Sequence, residues 1–278
     1  MSRTPRGGGR SGEPPPAPEP LAVSALDSHC HLDLLDVGVD EAMAAAKAVG
    51  ILRVVTVGVD APTSRWSVET ARTHANVFAA VAVHPNDAPH ATVADLDEIE
   101  RLAGDPAVVA VGETGLDHYR TGAQGRPAQE AAFRRHIDIA KRTGKALMIH
   151  DRDAHADVLR VLDAEGAPEH VVLHCFSGDA GFARACVERG YVLSFAGTVT
   201  FANAQPLRAA AAVTPLGQLL VETDAPFLTP HPYRGRPNGP YLVPLTVRAV
   251  AAANGSSPDE VAAAVTATAA RVFAWTDS

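Results

Sequence analysis

Leu26-Asp27-Ser28-His29-Cys30-His31-Leu32-Asp33 ends an apolar run with two histidines that flank one cysteine. Side chains alternate between the two faces of an extended strand, so His29 and His31 point the same way and Cys30 points the opposite way. Two neutral imidazoles directed at one point suit a transition metal such as zinc or manganese. A His-x-His pair also occurs as two ordinary polar residues at a strand end, so the remainder of the chain has to decide between these interpretations.

Short apolar runs alternate with alanine-rich segments from Leu26 onward, which is typical of βα units around a parallel sheet. The runs predicted as strands are Leu26–His29, Ile51–Val57, Val77–Val83, Val108–Glu113, Ala146–His150, His170–His174, Tyr191–Phe195 and Leu219–Thr223. The clearest helical periodicity lies at Val39–Val49, Thr63–Thr73, Val93–Ala103, Ala128–Arg142 and Ala154–Asp163. Eight units with strands buried on both faces predict an α/β fold, a (β/α)8 TIM barrel.

A doubly wound open sheet is the main alternative to the barrel. Its usual Gly-x-Gly-x-x-Gly turn does not follow the first predicted strand, so no nucleotide cofactor is expected. The 278 residues, 46% apolar and 20% charged, are compatible with one domain of this size, which we place at residues 23–278.

Residues 1–22 are rich in proline and glycine, carry three early arginines and lack an apolar core segment. This composition predicts a disordered tail rather than a signal peptide. No apolar run approaches the roughly 20 residues that a membrane helix requires, so no membrane partner is expected. The three cysteines lack Cys-x-x-Cys spacing, which argues against a disulfide framework and favours a reducing, cytoplasmic setting.

Five of the predicted strands end in a residue of metal-ligand type. These residues are His29 with His31, Glu113, His150, His174 and Asp224. In parallel barrels the chemistry lies at the carboxyl ends of the strands, so these side chains are expected at one rim. Each of them alone fits a core histidine, a salt-bridge partner or a turn cap equally well. Because all five strands follow the same pattern, we interpret the set as a metal site.

These motifs resemble the TatD family of metal-dependent deoxyribonucleases, within the amidohydrolase-type barrels, over about residues 26–272. The resemblance rests on Asp27–Asp33, Val83-His84-Pro85, Gly112-Glu113-Thr114-Gly115-Leu116-Asp117, His150–Ala154, His174-Cys175-Phe176-Ser177-Gly178 and Glu222-Thr223-Asp224-Ala225-Pro226. It implies a (β/α)8 barrel with divalent metals that hydrolyses DNA phosphodiesters, typically from the 3′ end, as a hydrolase acting on ester bonds. Some related amidohydrolases carry a carbamylated lysine where this chain has Glu113.

The resemblance also implies a role for each strand-end residue. His29, His31 and Asp224 are expected to hold one metal, His150 and His174 the second, and Glu113 both. Two divalent ions, zinc, manganese or magnesium, would activate a water for in-line displacement. Asp224 is expected to accept the proton of that water, so Glu113 and Asp224 are the predicted catalytic pair.

Four cationic side chains are candidates for contact with the substrate. His84 and Arg152 follow or adjoin predicted strand ends and could bind phosphates, although Arg152 could equally pair with Asp151 or Asp153. The proline- and glycine-rich segment 231–240 follows the eighth strand and contains Arg234 and Arg236 beside a tyrosine. Cations with a stacking surface are typical of sites for single-stranded nucleic acid, although an ordinary solvated loop accounts for them equally well. Together with the DNA hydrolysis that the resemblance implies, they make single-stranded DNA the expected substrate.

Three acidic residues are candidates for an outer shell around the metals. Asp33 and Asp117 could orient ligand imidazoles, or act as ordinary turn and cap residues. Glu222 shares a face with Asp224 across Thr223 and could line the metal cavity.

Two other functions remain open on the sequence. The same barrel could act on another ester, a lactone, an amide or an aminoacyl-tRNA bond, because two-metal sites activate water for many electrophiles. It could also be a non-catalytic metal-binding scaffold, although the complete ligand set argues against this. The net charge of −8 disfavours a nucleic-acid-binding module without chemistry. As a separate expectation, the protein is taken to be a monomer.

Overall fold

The computed structural model describes residues 12–275. Eight parallel strands form one sheet in sequential order, and each is hydrogen-bonded to the next. They are β1 (Ala25–Cys30), β2 (Ile51–Val57), β3 (Val77–Val81), β4 (Val108–Asp117), β5 (Ala146–Arg152), β6 (Val171–Leu173), β7 (Val192–Phe195) and β8 (Leu219–Val221). The backbone N–H of His31 donates to Ala225 O (2.7 Å), and that of Asp224 donates to His29 O (3.0 Å). These bonds join the first and last strands, and the predicted (β/α)8 barrel is confirmed.

Helices follow the strands around the outside of the barrel. They are α1 (Val39–Ala48), α2 (Ala61–Thr73), α3 (Val93–Ala103), α4 (Arg126–Thr143), α5 (His155–Glu165), α6 (Ala180–Glu188), α7 (Gln205–Val213), α8 (Val243–Asn254) and α9 (Pro258–Phe273). The first five match the predicted helical segments. Reciprocal capping boxes begin α2, α3 and α9, and a left-handed Gly144 ends α4, as expected from their sequences.

Two strands extend further than the sequence predicts. β4 and β5 stay paired as far as Asp117 and Arg152, beyond Glu113 and His150, where the predicted strands stopped. The N–H of His118 adds a further bond to Arg152 O (2.9 Å). The sheet therefore carries a two-stranded extension above the rim, which an apolar pattern cannot reveal because its residues are polar.

Glycines allow β4 and β5 to approach each other next to Glu113. A Cβ on Gly112 would collide with Met148, and one on Gly115 would collide with His150 O. Gly115 also has a φ of 131°, a conformation that L-residues rarely adopt. Both positions therefore require glycine for the close contact between these strands.

The predicted disorder of residues 1–11 lies outside the described residues. Residues 13–20 contact α8 and the segment before it. Arg236 donates to Glu13 O (2.7 Å), and the Tyr241 hydroxyl donates to Pro15 O (3.0 Å). Further along, Arg248 donates to Glu19 O (2.7 Å) and Leu21 is buried. Proline removes N–H donors but leaves free carbonyls, which these side chains use, so the described part of this segment contacts the barrel where the sequence predicts disorder.

Trp275 packs against β2 and β3 at the end of the barrel away from the imidazole-bearing strand ends. Its ring lies 4.6 Å from the ring of Phe78, and the guanidinium of Arg53 lies 5.4 Å from its centroid. Both partners stand near the amino ends of their strands.

No helix in residues 12–275 is long and apolar enough to cross a bilayer.

Candidate metal centre

Glu113 occupies the middle of a cluster of imidazoles at the carboxyl ends of the strands. Its carboxylate is 4% exposed, so it is shielded from water on nearly all sides. The two oxygens face different groups of side chains, one group from β1 and the turn after β8 and the other from the ends of β3, β5 and β6.

The Oε2 atom of Glu113 faces the two histidines of the opening motif. It lies 3.6 Å from His29 Nε2 and 3.8 Å from His31 Nε2, and these two nitrogens are 3.3 Å apart. Asp224 Oδ1 lies 3.6 Å and 3.5 Å from the same nitrogens. Two imidazole nitrogens and two carboxylates thus converge, as predicted from the alternation of residues on β1.

The Oε1 atom of Glu113 faces the second group. It lies 2.7 Å from His150 Nδ1 and 3.0 Å from His174 Nε2. His84 Nε2 lies 3.2 Å from the same oxygen. Because His84 Nδ1 accepts the Asn86 N–H (3.0 Å), the neutral ring carries its proton on Nε2 and donates to Glu113. His84 therefore lies within the cluster itself, closer to Glu113 than its predicted role as a phosphate contact required.

Further contacts hold the imidazoles in place. Asp117 Oδ2 lies 3.2 Å from His150 Nε2, and Glu222 Oε1 lies 3.2 Å from His174 Nδ1. Both acids were predicted outer-shell candidates, and both contact a strand-end histidine. His31 Nδ1 instead lies 3.1 Å from Val57 O. Burial lowers the pKa of His31, but Asp224, Glu113 and the partly buried Asp33 outweigh it and raise that pKa.

Charges and burial perturb the ionisation of the cluster. Burial raises the pKa of Glu113, but the charges and hydrogen bonds of His84, His150 and His174 outweigh it and hold that pKa well below its usual value. Burial lowers the pKa of His29 far below normal, with a further contribution from His174. For His174, burial is outweighed by Glu113 and Glu222, so its pKa is raised. An anionic carboxylate surrounded by basic nitrogens is the charge pattern that a bound cation would stabilise.

Asp27 is a functional candidate that the sequence analysis did not single out. It is fully buried on β1 and accepts hydrogen bonds from the Thr223 N–H (2.9 Å) and the Thr223 hydroxyl. The His29 N–H also donates to it (3.2 Å). Asp224, the residue after Thr223, has a left-handed φ of 51°. Asp27 therefore fixes the turn that presents Asp224 to His29 and His31.

The predicted substrate contacts are distributed unevenly. Arg152 stacks over the ring of Tyr119, with its guanidinium 4.2 Å from the centroid. Asp151 pairs with His155 (2.7 Å) instead of Arg152, and Arg152 forms no ion pair among residues 12–275. Arg234 lies over Phe201 at 4.8 Å. Arg236 is turned to the N-terminal segment, because the carbonyls of Glu13 and Pro14 accept its hydrogen bonds.

The donor set fits a divalent transition metal. Three trios have ligand atoms within 4.8 Å of one another, and two of them share Glu113. They are His29 with His31 and Glu113, His84 with Glu113 and His150, and His29 with His174 and Glu222. Imidazole nitrogens mixed with carboxylate oxygens are softer donors than the all-oxygen shell that magnesium prefers.

Residues 26–274 match the family model described as TatD related DNase. The chain belongs to the TatD family. The predicted family is thereby confirmed, and this TatD-family protein is a metal-dependent hydrolase whose His and Glu clusters can hold metal.

Relatives of this TatD-family protein cover nearly its whole barrel. The uncharacterized metal-dependent hydrolase TatD of Mycobacterium tuberculosis is 50% identical over 256 residues, which are 89% of this chain and 97% of the relative. The 3′-5′ ssDNA/RNA exonuclease TatD of Cronobacter sakazakii is 36% identical over 242 residues, 84% of this chain and 91% of the relative. The crystal structure of YjjV, a TatD homologue from Escherichia coli K12, has a TM-score of 0.85 at 26% identity and covers 91% of this chain and 98% of that one.

Proposed function

We propose that this protein is a deoxyribonuclease that hydrolyses phosphodiester bonds of single-stranded DNA from the 3′ end with two divalent metal ions. The observation that carries the proposal is the position of Glu113. One carboxylate oxygen faces His29 and His31, and the other faces His150 and His174. A single carboxylate between two groups of imidazoles suits a bridging ligand.

Six residues would hold the ions. His29, His31 and Asp224 would hold one, His150 and His174 would hold the second, and Glu113 would serve both. When bound, the two ions would supply an acidified water and charge stabilisation for the attacking and leaving oxygens of the phosphate. The nitrogen-rich donors favour zinc or manganese, and magnesium would bind more weakly.

The protein side chains would move the proton and orient the substrate. The Asp224 side chain is 15% exposed, whereas that of Glu113 is 5% exposed, so Asp224 is the acidic group that a water in the open cavity reaches more readily. It would accept the proton of the attacking water as the new P–O bond forms and the P–O bond to the leaving oxygen of the strand breaks, and that oxygen would take up a proton from solvent. His84 would hold Glu113 through its Nε2–H, and Arg152 would position the phosphate above His150.

A nuclease substrate is supported by the Cronobacter sakazakii relative, whose name specifies single-stranded DNA and RNA. Its 36% identity over 84% of this chain makes a related substrate the simplest expectation. RNA is therefore included as a competing substrate in the test, together with a lactone and a generic phosphodiester.

The decisive experiment uses chelator-treated protein and 3′-labelled single-stranded DNA. We expect no release of label without metal, and restored release after addition of manganese, zinc or magnesium. A metal-free preparation with full activity would refute the metal mechanism. Hydrolysis of the lactone or of RNA in preference to DNA would instead overturn the choice of substrate.

A further inference from the structure

The extension of β4 and β5 above the rim carries an exposed aromatic ring. Tyr119 is 66% exposed, the highest value among the exposed aromatic side chains of residues 12–275. The guanidinium of Arg152, also exposed, lies 4.2 Å from the centroid of this ring. An aromatic ring of this size normally loses its apolar area to the core, so its exposure next to the metal centre calls for an explanation.

This pair is rigidly connected to the centre. The N–H of Tyr119 donates to Asp117 Oδ1 (3.0 Å), while Asp117 Oδ2 lies 3.2 Å from His150 Nε2. Arg152 stands two residues after His150 on β5 and so shares its face of the strand. At the rise of a strand, this places its Cα roughly 7 Å from that of His150.

Arg152 is available for a ligand. It forms no ion pair among residues 12–275, neither with Asp153 nor with Asp151, which is engaged by His155. A cation without an acidic partner next to an exposed ring provides two planar surfaces and a positive charge. Nucleobases stack on aromatic rings and on guanidinium planes, and a nearby phosphate gains a donor.

We propose that Tyr119 and Arg152 form a stacking platform for one base of the substrate strand, next to the phosphate that is cleaved. The inference rests on the proposed nuclease function and adds a base-binding subsite to it. In a chain with a net charge of −8, this local combination would let a polyanion dock at the rim. The platform accepts any base, because every base offers a flat face.

The test combines a change in the protein with a change in the substrate. In Tyr119→Ser, the KM for single-stranded DNA should rise about tenfold, with kcat changed less than twofold. Tyr119→Phe keeps the ring and should behave as the unchanged protein. Leu52→Ser is the matched control, because Leu52 is 42% exposed near the amino end of β2, at the opposite end of the barrel.

The substrate carries a single abasic residue, moved through the three nucleotides nearest the 3′ end. At one of these positions the KM of the unchanged protein should rise about tenfold. The KM of Tyr119→Ser should not rise further when the abasic residue is at that position. An abasic penalty of equal size in both proteins, or an unchanged KM of Tyr119→Ser on normal DNA, would overturn the platform.

Binding of a non-hydrolysable phosphorothioate oligonucleotide, followed by fluorescence anisotropy, separates this inference from the proposed function. Binding that weakens about tenfold in Tyr119→Ser supports the platform even if no DNA is cleaved, in which case the nuclease proposal fails alone. Cleavage of DNA with the same KM in Tyr119→Ser as in the unchanged protein overturns the platform alone. A protein that neither binds nor cleaves DNA overturns both.

Discussion

Asp27 on β1 and Thr223 after β8 are joined by two hydrogen bonds, from the backbone N–H and from the hydroxyl of Thr223 to the buried carboxylate. Burial raises the pKa of Asp27 to about 7, against the opposing effect of these bonds. The carboxyl group is therefore partly protonated near neutral pH. Its role is to hold the turn before Asp224, and this role does not require a negative charge.

Two replacements of Asp27 distinguish the effect of its hydrogen-bond acceptors from the effect of its negative charge. Asp27→Asn keeps an oxygen acceptor and removes a costly buried charge, so we expect equal or higher stability and activity within about threefold of the unchanged protein. Asp27→Ala leaves buried donors of Thr223 and His29 without an acceptor and should cost about 3 kcal/mol of unfolding free energy. Urea unfolding and metal-dependent activity measure both effects. Severe loss of activity in folded Asp27→Asn would mean that the charge itself is needed.

Glu113→Gln should abolish turnover and leave the barrel folded. The amide keeps the size of the side chain but loses the charge that both groups of imidazoles face, so metal affinity should also fall. We expect a loss of more than about 10³-fold in rate, with unchanged circular dichroism and a lower metal content by elemental analysis. Glu98→Gln, on α3 and paired with Arg65 away from the cluster, is the control. Full activity in Glu113→Gln would rule out a bridging carboxylate.

His136 should make stability depend on pH. This buried residue of α4 accepts the Val83 N–H at Nε2 (3.3 Å), and its Nδ1 lies 2.8 Å from the Thr114 hydroxyl. Burial lowers its pKa to about 3, from 6.5 in the unfolded chain. Below pH 6.5 His136 takes up a proton in the unfolded chain but not in the folded protein. The free energy of unfolding therefore falls as the pH decreases towards 3.

Between pH 7.5 and pH 5 this single group should remove about 2 kcal/mol from the free energy of unfolding. Urea titrations at both pH values measure the loss, and His136→Gln should show a correspondingly smaller difference between them. The same pH difference in both proteins would show that His136 already ionises in the fold near its normal pKa.

Gly115→Ala should damage the site through the backbone. The new Cβ would collide with His150 O, and alanine is strained at a φ of 131°. We expect a loss of stability of about 3 kcal/mol and weaker metal binding, because β5 would have to move away from Glu113. Gly217→Ala, at a position with open space, is the matched control. Equal melting temperatures of the two variants would contradict the requirement for glycine.

The sequence predicted the fold and the central cluster because both depend on local patterns. Apolar runs placed the strands, and the residue types at their ends identified Glu113, His150 and His174. The sequence analysis gave bounds only for the five helices of clearest periodicity, so the bounds of α6 to α9 come from the structure. Asp117 and Glu222 were named as outer-shell candidates, and their histidine partners became evident only in three dimensions.

Other features depend on contacts between distant segments, which no local pattern encodes. Asp27 is an acid in an apolar strand, and its partner Thr223 lies 196 residues away. Arg236 follows the site in sequence but turns to Glu13, because the path of the N-terminal segment offers unpaired carbonyls. Tyr119 attracted no notice because an exposed tyrosine in a loop has no distinguishing spacing.

The position of Trp275 near the amino ends of β2 and β3 decides how the molecule should be attached to a surface. Its contacts with Phe78 and Arg53 anchor the C-terminal side of the chain at the end away from the metal cluster. Immobilisation on a sensor chip through this side would leave the mouth facing the flow of oligonucleotide. On the other side of the described chain, Glu13 lies beside the loop that carries Arg236, so a label attached to that loop would disturb the contact between them.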